Sequence, residues 1–201
     1  SKDNVFLALK REKDDRIGYF RQAELTYTNE FYSGFSFQLT ARRRTDESSY
    51  LIPFLQKEGD VLTPVKEYST SAAELKLRYA PNEKFFQTQF TLSHTIAGKG
   101  VLGSDYTYNH TEAGVQKRFW FSAFGYTDVI LKAGKVWDKV PFPLLIMPNA
   151  NLSYTIQPES YSLMNAMEFM NDEYFSWDVT YFLNGWLFNR IPLLKKLKWR
   201  E

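Results

Sequence analysis

The chain has 201 residues, with 25 Lys and Arg against 23 Asp and Glu, no cysteine, and 17% aromatic residues. The absence of cysteine excludes a disulfide framework and any cysteine-ligated metal site. The net charge of +2 argues against a large basic surface for nucleic acid, and the 44% hydrophobic content argues against general disorder.

Membrane-spanning helices are not expected, because the chain contains no run of about 18 apolar residues. The densest apolar stretch, residues 141–148, is too short and contains three prolines. Residues 1–4 do not have the layout of a signal peptide, so we expect either a processed chain or an excerpt of a longer one.

Alternation of apolar and polar residues with a period of two recurs along the chain and predicts an all-β, antiparallel fold. A weak first run covers residues 5–10. Clearer runs follow at residues 22–28, 35–42, 73–79, 86–93, 112–121, 128–133 and 175–184. Most of these roughly eight strands are long enough to cross a bilayer when tilted, which takes about 9–11 residues.

The connections between these runs alternate between short and long, so that one end of the predicted sheet carries short turns and the other end carries long loops. Residues 32–34, 81–83 and 123–125 form tight turns, and the segments at about 45–69, 97–103 and 137–172 are longer. Only the connection at 12–16 is short on the long-loop side. Short periplasmic turns and long extracellular loops are typical of a bacterial outer-membrane barrel, so we expect residues 1–201 to form one such domain.

Alternation alone is equally typical of a soluble β-sandwich or a lipocalin-like barrel, whose apolar face is turned inward. Strand length, the asymmetry of the turns and the rings near strand ends favour an antiparallel transmembrane β-barrel instead. The rings in question are Tyr106, Tyr108, Phe119, Trp120, Phe121 and Trp186.

In a membrane barrel the charged members of the alternating runs face the lumen. This places seven side chains on an interior wall: Glu24, Lys76, Arg78, Glu112, Arg118, Lys132 and Asp178. Because both signs of charge are present, we expect cross-strand ion pairs or a surface on which a plug docks, rather than an ion-selective pore.

Several stretches of the sequence are distinctive. The most specific of them runs from Gly185-Trp186-Leu187-Phe188-Asn189 through Arg190-Ile191-Pro192-Leu193-Leu194, and the others include Phe124-Gly125-Tyr126-Thr127-Asp128 and Pro141-Phe142-Pro143-Leu144-Leu145. These stretches resemble the C-terminal barrel of a family of large Bacteroidota outer-membrane proteins with a carboxypeptidase-like regulatory domain and unknown function. The resemblance covers most of the chain from about residue 5. It implies an interior excerpt, with about eight strands of a larger barrel.

That barrel is in turn similar to the BamA-type surface antigen superfamily. The similarity rests on a long loop, residues 137–172, followed by a strand and a run at Arg190–Leu193. In the superfamily the loop enters the lumen and carries an Arg-Gly-Phe/Tyr tip, whereas here the loop contains no Arg. The nearest counterpart contains Met164, Asn165, Met167, Glu168 and Phe169, which we expect to insert into the lumen; docking on a partner protein is the alternative.

Candidate catalytic groups are few. The chain has two histidines, and His94 shares parity with Phe90 and Leu92, which directs it to the apolar face near a strand end. His110 lies close to the start of the next strand. No nucleophile elbow, zinc-protease, P-loop or dinucleotide motif occurs, so we expect no enzymatic activity, no metal and no cofactor.

Three consecutive arginines, Arg42, Arg43 and Arg44, end a predicted strand on the extracellular side. Guanidinium groups bind phosphate through two hydrogen bonds, which makes these residues candidates for contact with lipopolysaccharide. A solvated loop rim is the equally favoured alternative.

By resemblance, we expect a bacterial outer-membrane protein that takes part in envelope biogenesis, through assembly or insertion of outer-membrane or surface proteins. Its partners would be outer-membrane lipid, lipopolysaccharide and other envelope assembly proteins, with no nucleic acid. The alternatives are a transport barrel, such as a porin or receptor-like channel, and a surface adhesion or structural module.

Overall fold

The computed structural model describes residues 19–48, 53–58, 61–81, 88–150, 160–161, 164, 168–183 and 190. The predicted strand at 5–10, the connection at 12–16 and most of the turn at 81–83 lie outside these residues. So do Asn165, Met167 and most of the Gly185–Leu194 motif.

Seven antiparallel strands form one sheet, with a separate hairpin inserted between the second and third of them. The strands are β1 (Tyr19–Glu30), β2 (Phe35–Glu47), β3 (Phe54–Glu58), β4 (Val61–Val65), β5 (Glu67–Tyr79), β6 (Gln89–Ala97), β7 (Tyr108–Trp120), β8 (Tyr126–Val136) and β9 (Glu173–Phe182). The sheet order is β1-β2-β5-β6-β7-β8-β9, and β3 pairs with β4. The predicted all-β, antiparallel architecture is confirmed, and the sheet of the described residues is open, with β1 and β9 at its edges.

The helices that lie wholly within the described ranges are three single turns of 3-10 helix, at Val101–Gly103, Ser122–Phe124 and Phe142–Leu144. None of the helices in the described part of the chain is long and apolar enough to cross a bilayer.

The segment predicted as a loop at about 45–69 is shorter in the structure. β2 continues to Glu47 and β5 begins at Glu67, and these two residues pair in register. The polar residues at this end resemble a loop by composition. They nevertheless belong to the strand, since Thr45 bonds to Ser69 across the pair and Asp46 lies buried. The remaining residues carry the β3–β4 hairpin, whereas the segment at 137–172 lies between β8 and β9 as predicted.

Two of the short turns depend on glycine. Gly34 and Gly125 have φ values of +79° and +93°, in the left-handed region that residues with a Cβ atom rarely adopt. A Cβ atom at Gly34 would overlap the carbonyl of Ala80, and one at Gly125 would overlap that of Phe182. The turns therefore lie directly against the end of the neighbouring strand.

Cross-strand register separates the side chains into two faces, since residues directly opposite each other in an antiparallel pair share a face. One face, the apolar face, carries rows such as Leu25, Ala41, Ala73 and Ile96. The other, the polar face, carries rows such as Gln38, Lys76, Ser93 and Glu112.

Exposure of the two faces is inverted relative to a soluble sheet. On the apolar face of the inner strands, Leu39 is 48% exposed and Leu92 is 45% exposed, whereas on the polar face Thr40 is 6% and Asp128 is 8% exposed. A soluble sheet covers its apolar face and leaves the polar one to water. In the described residues the compact apolar cluster lies instead around Phe54 and Tyr68, at the loop end of the sheet.

Candidate functional site: the polar face and its cap

All seven side chains predicted to line an interior wall lie on the polar face. The register places Lys76 level with Ser93 and Glu112, and Arg78 level with Thr91, Gly114 and Lys132. The remaining members follow the same parity: Glu24, Arg118 and Asp178. The sequence pattern therefore assigns these side chains to one face correctly, although whether that face encloses a lumen stays a prediction.

One ion pair on this face joins Arg118 to Asp128 across β7 and β8. Nε donates to Oδ1 at 2.6 Å and Nη2 donates to Oδ2 at 2.7 Å. The guanidinium also lies 4.0 Å from the ring centroid of Tyr126 and 5.6 Å from that of Trp120. This pair is of the cross-strand kind that the mixed charges predicted, and it ties the turn end of the two strands together.

A second contact crosses three strands. Glu112, Gly134 and Tyr174 lie in one row on β7, β8 and β9. The ring of Tyr174 lies over Gly134, where a Cβ atom would overlap it, and its hydroxyl lies near the Glu112 carboxylate. Because Gly134 has no side chain, the Tyr174 ring can lie across β8 and fill the space that a side chain would otherwise occupy.

Substituting Gly134→Ala should lower the free energy of unfolding by about 1–2 kcal/mol, because the added methyl group displaces the Tyr174 ring. In a Tyr174→Ala background the same substitution should cost less than about 0.5 kcal/mol, since the obstructing ring is gone. Denaturant titrations of the four proteins of this cycle provide the measurement. Equal costs in both backgrounds would show that the ring is not what constrains Gly134.

Around His110 the polar face gathers several ionisable groups. Arg42, Glu74 and Glu112 are close enough to act electrostatically on Tyr108 and His110. His110 Nε2 is buried and has no hydrogen-bond partner among the described residues.

His94 lies on the apolar face, as its parity with Phe90 and Leu92 predicts. Its Nδ1 is 2.9 Å from the Thr111 hydroxyl oxygen, and Trp137 donates its indole N–H to that same oxygen at 3.0 Å. The Trp137 ring is exposed and lies 5.3 Å from Lys135 Nζ. These contacts fix a tryptophan at the loop end of the apolar face.

The three consecutive arginines do not end a strand, so that prediction is wrong: β2 extends beyond them to Glu47, because its last residues still pair with β5. Alternation then separates them. Arg42 and Arg44 lie on the polar face, and Arg44 binds Asp46 through two nitrogens and lies 4.3 Å from the Phe20 ring. Only Arg43 lies on the apolar face, and contact of the three arginines with lipopolysaccharide stays a prediction.

An aromatic cluster covers the loop end of the polar face and was not predicted from the sequence; we call it the cap. Phe54 lies 5.0 Å from Tyr68 and 5.7 Å from Phe142, and Tyr106 lies 5.5 Å from Tyr68, all between ring centroids. Val65 and Leu144 pack against it. The cap thus joins the β3–β4 hairpin, the first residues of β5 and two of the long loops.

Hydrogen bonds at the loops hold the cap in place. Ser69 donates its backbone N–H to Asp105 Oδ2 at 2.6 Å, and Asp105 donates its own N–H to the Ser69 carbonyl at 2.9 Å. Burial, followed by the nearby Asp105 carboxylate, raises the pKa of Tyr106. Because both effects favour the neutral phenol, Tyr106 serves as an apolar member of the cap.

The segment predicted to enter the lumen is described at Met164, Glu168 and Phe169. Met164 and Phe169 line a cavity of about 620 Å3 together with residues of β9 from both faces, including Tyr174 and Trp177. Glu168 is exposed. These side chains therefore lie along the edge of β9, and insertion into a lumen stays a prediction.

Metal ligands do not cluster in the part of the chain that the structure describes, where no group of three His, Asp or Glu residues is placed to hold an ion. Taken together, the polar face offers paired charges, hydroxyls and amides under an aromatic cap.

Comparison with known proteins identifies the family. No curated protein and no solved structure matches the chain. The model of a family described as "Family of unknown function (DUF5686) C-terminal domain" matches residues 21–201, which span β1 to β9 and the segment beyond. The chain therefore belongs to this family of unknown function, of which it carries the C-terminal domain.

Proposed function

We propose that this domain is part of the wall of a bacterial outer-membrane β-barrel. The observation that carries the proposal is the inverted exposure of the sheet: large apolar side chains such as Trp177 and Leu25 are exposed, and small polar ones such as Thr40 are covered. An exposed apolar face of this extent is stable only against another apolar phase. Lipid tails on one side and an enclosed polar interior on the other meet both requirements.

The dimensions of the strands support this placement. β2, β5 and β7 each contain 13 residues. At about 3.4 Å per residue they are roughly 44 Å long, and a tilt of about 45° reduces this to roughly 31 Å, close to the thickness of a hydrocarbon core.

The two ends of the apolar face also differ as expected for a membrane protein. Exposed rings follow the short-turn end: Phe35, Tyr79, Phe90, Phe119 and Tyr181. Charged residues follow the loop end, where Lys135 pairs with Glu173 and Arg21 pairs with Glu47. Lys117 lies within the apolar face but places its Nζ 5.0 Å from the Phe119 ring, toward the interface. Short turns would then face the periplasm and the loops the cell exterior.

For its role, we favour a non-enzymatic part in envelope biogenesis, with lipid, lipopolysaccharide and envelope assembly proteins as partners. The cap supports an assembly role over transport, because it covers the loop end of the polar face with packed aromatic rings. The resemblance to the BamA-type superfamily points in the same direction. Transport and surface adhesion are the competing functions.

In planar lipid bilayers the intact protein should pass little steady current, because the cap obstructs the loop end of the interior. Replacing Phe54 and Phe142 by alanine together should raise the current, since these rings hold the β3–β4 hairpin against the loop after β8. Phe175→Ala, on the apolar face, is the matched control and should leave the current unchanged.

A large steady current through the unmodified protein would instead favour a porin or channel. If the current stayed low in the Phe54 and Phe142 double variant, the cap would not be the obstruction. Co-purification with other envelope proteins from native membranes separates assembly from adhesion.

A further inference from the structure

A groove crosses the apolar face near its loop end; we call it the alanine groove. It has a volume of about 590 Å3, and its floor includes Ala23, Ala41 and Ala73 on β1, β2 and β5. Ala41 and Ala73 are direct cross-strand partners, flanked in the same row by Leu25 and Ile96. Because methyl side chains lie between larger ones in this row, they leave a recess in the apolar face.

The loop after β6 borders this groove. Ser71 donates its hydroxyl to the Leu102 carbonyl at 2.9 Å, and Gly100 and Gly103 have φ values of +81° and +73°. These contacts place Val101 and Leu102 at the groove with their side chains exposed. Leu102 itself has φ +48°, a conformation that is unfavourable for leucine. The loop thus exposes two aliphatic side chains near the charged residues at the loop end of the apolar face.

Arg43 supplies the charge at this groove. Its guanidinium packs against Gly103, where a Cβ atom would lie 3.3 Å from Nη2. Among the described residues no carboxylate pairs with Arg43. Glu24 also borders the groove, but its carboxylate lies on the polar face, where it accepts hydrogen bonds from Gln22 and Thr26. The groove therefore combines an apolar recess with one guanidinium that pairs with no carboxylate of the described residues.

We propose that the alanine groove binds one phosphate-bearing membrane lipid, with an acyl chain in the recess and its phosphate on Arg43. The volume is within the range of about 300–1,000 Å3 that is usual for small-molecule sites. An arginine fork binds phosphate through two charge-assisted hydrogen bonds. The inference rests on the proposed membrane location, and it assigns to one residue the lipid contact that the three arginines had suggested together.

The same face contains a natural control. Ala113 and Ala133 are also direct cross-strand partners, and they border a second cavity of about 530 Å3 next to Lys135. There the cation already has an anion, because Lys135 Nζ lies 2.8 Å from Glu173 Oε2. This second groove should accept lipid tails without preferring a phosphate.

Native mass spectrometry of the detergent-purified intact protein tests the proposal with dioleoylphosphatidic acid and dioleoylglycerol as probes. The unmodified protein should retain one phosphatidic acid and far less diacylglycerol. Arg43→Gln should lower retention of phosphatidic acid at least tenfold, because both charge-assisted hydrogen bonds of the guanidinium are lost. Lys135→Gln should leave retention unchanged.

Filling the recess gives a second test that does not depend on charge. Ala41→Trp should lower retention of both probes, whereas Ala133→Trp should not lower that of phosphatidic acid. Equal retention by the unmodified protein and Arg43→Gln would overturn the proposal, as would full competition by inorganic phosphate, which would indicate a site for a free anion. If the protein entered vesicles normally in that case, only the groove assignment would fail; failure to enter vesicles at all would remove the proposed function.

Discussion

Leu92→Arg should lower the free energy of unfolding in lipid vesicles by about 2–4 kcal/mol, the cost of a cation near the middle of the lipid-facing side of a barrel. Leu92 lies on the apolar face of β6, level with Leu77 on β5 and Ala113 on β7. It is 45% exposed. In a water-soluble sheet an arginine at such an exposed position would change stability by less than about 0.5 kcal/mol.

The adjacent residue provides the matched control. Ser93 lies on the polar face between Lys76 and Glu112 and borders a polar cavity of about 280 Å3. An arginine side chain in Ser93→Arg fits into this cavity, and its repulsion from Lys76 is offset by its attraction to Glu112. We therefore expect the free energy of unfolding to fall by less than about 1 kcal/mol. Denaturant titrations in vesicles, followed by tryptophan fluorescence, give both values. Similar losses in the two variants would contradict the assignment of the apolar face to lipid.

The strands and their faces could be predicted because side-chain direction in a strand depends only on parity. Once Leu75 and Leu77 are assigned to one face and Glu74 and Lys76 to the other, alternation assigns every residue of β5 to a face. The pattern could not decide which face is covered, because that depends on what lies next to the sheet. The structure answers this for the described residues through the exposure of Trp177 and the burial of Thr40.

Strand ends were harder to predict than strand faces. Residues 42–47 contain three arginines, an aspartate and a glutamate, which resemble a loop by composition. They remain in β2 because each continues to pair with β5, and because the Arg44 charge is compensated by Asp46 within the strand. Such pairing is a property of the neighbouring strand and is not visible in the local sequence.

The cap was missed for a related reason. Phe54, Tyr68 and Tyr106 are separated by 14 and 38 residues, and each alone is typical of an ordinary strand or loop residue. Their ring contacts exist only once the hairpin and the loops fold over the same end of the polar face. The one available signal in the sequence was the density of apolar residues at 141–148, which does not identify the residues that pack against them.

Asp128→Asn should lower the free energy of unfolding by about 3 kcal/mol, because it removes the carboxylate that binds the Arg118 guanidinium through two hydrogen bonds in a place that is largely closed to solvent. The two side chains are 16% and 11% exposed. This expected loss of unfolding free energy is at the low end for a buried ion pair, because both side chains keep some contact with solvent. The rings of Trp120 and Tyr126 would still cover the guanidinium and could not replace the anion.

The pair of Lys135 and Glu173 is the control for this prediction, because it joins β8 to β9 at a similar distance but lies exposed. Glu173→Gln should leave stability unchanged within error, since solvent already screens that pair. Exchanging the residues, with Arg118→Asp and Asp128→Arg together, should recover part of the loss, and denaturant titrations report all four proteins. If Asp128→Asn cost no more than Glu173→Gln, the two pairs would be equally hydrated, and the polar face could not be a covered interior. The stability of one ion pair thus tests the enclosure on which the membrane proposal depends.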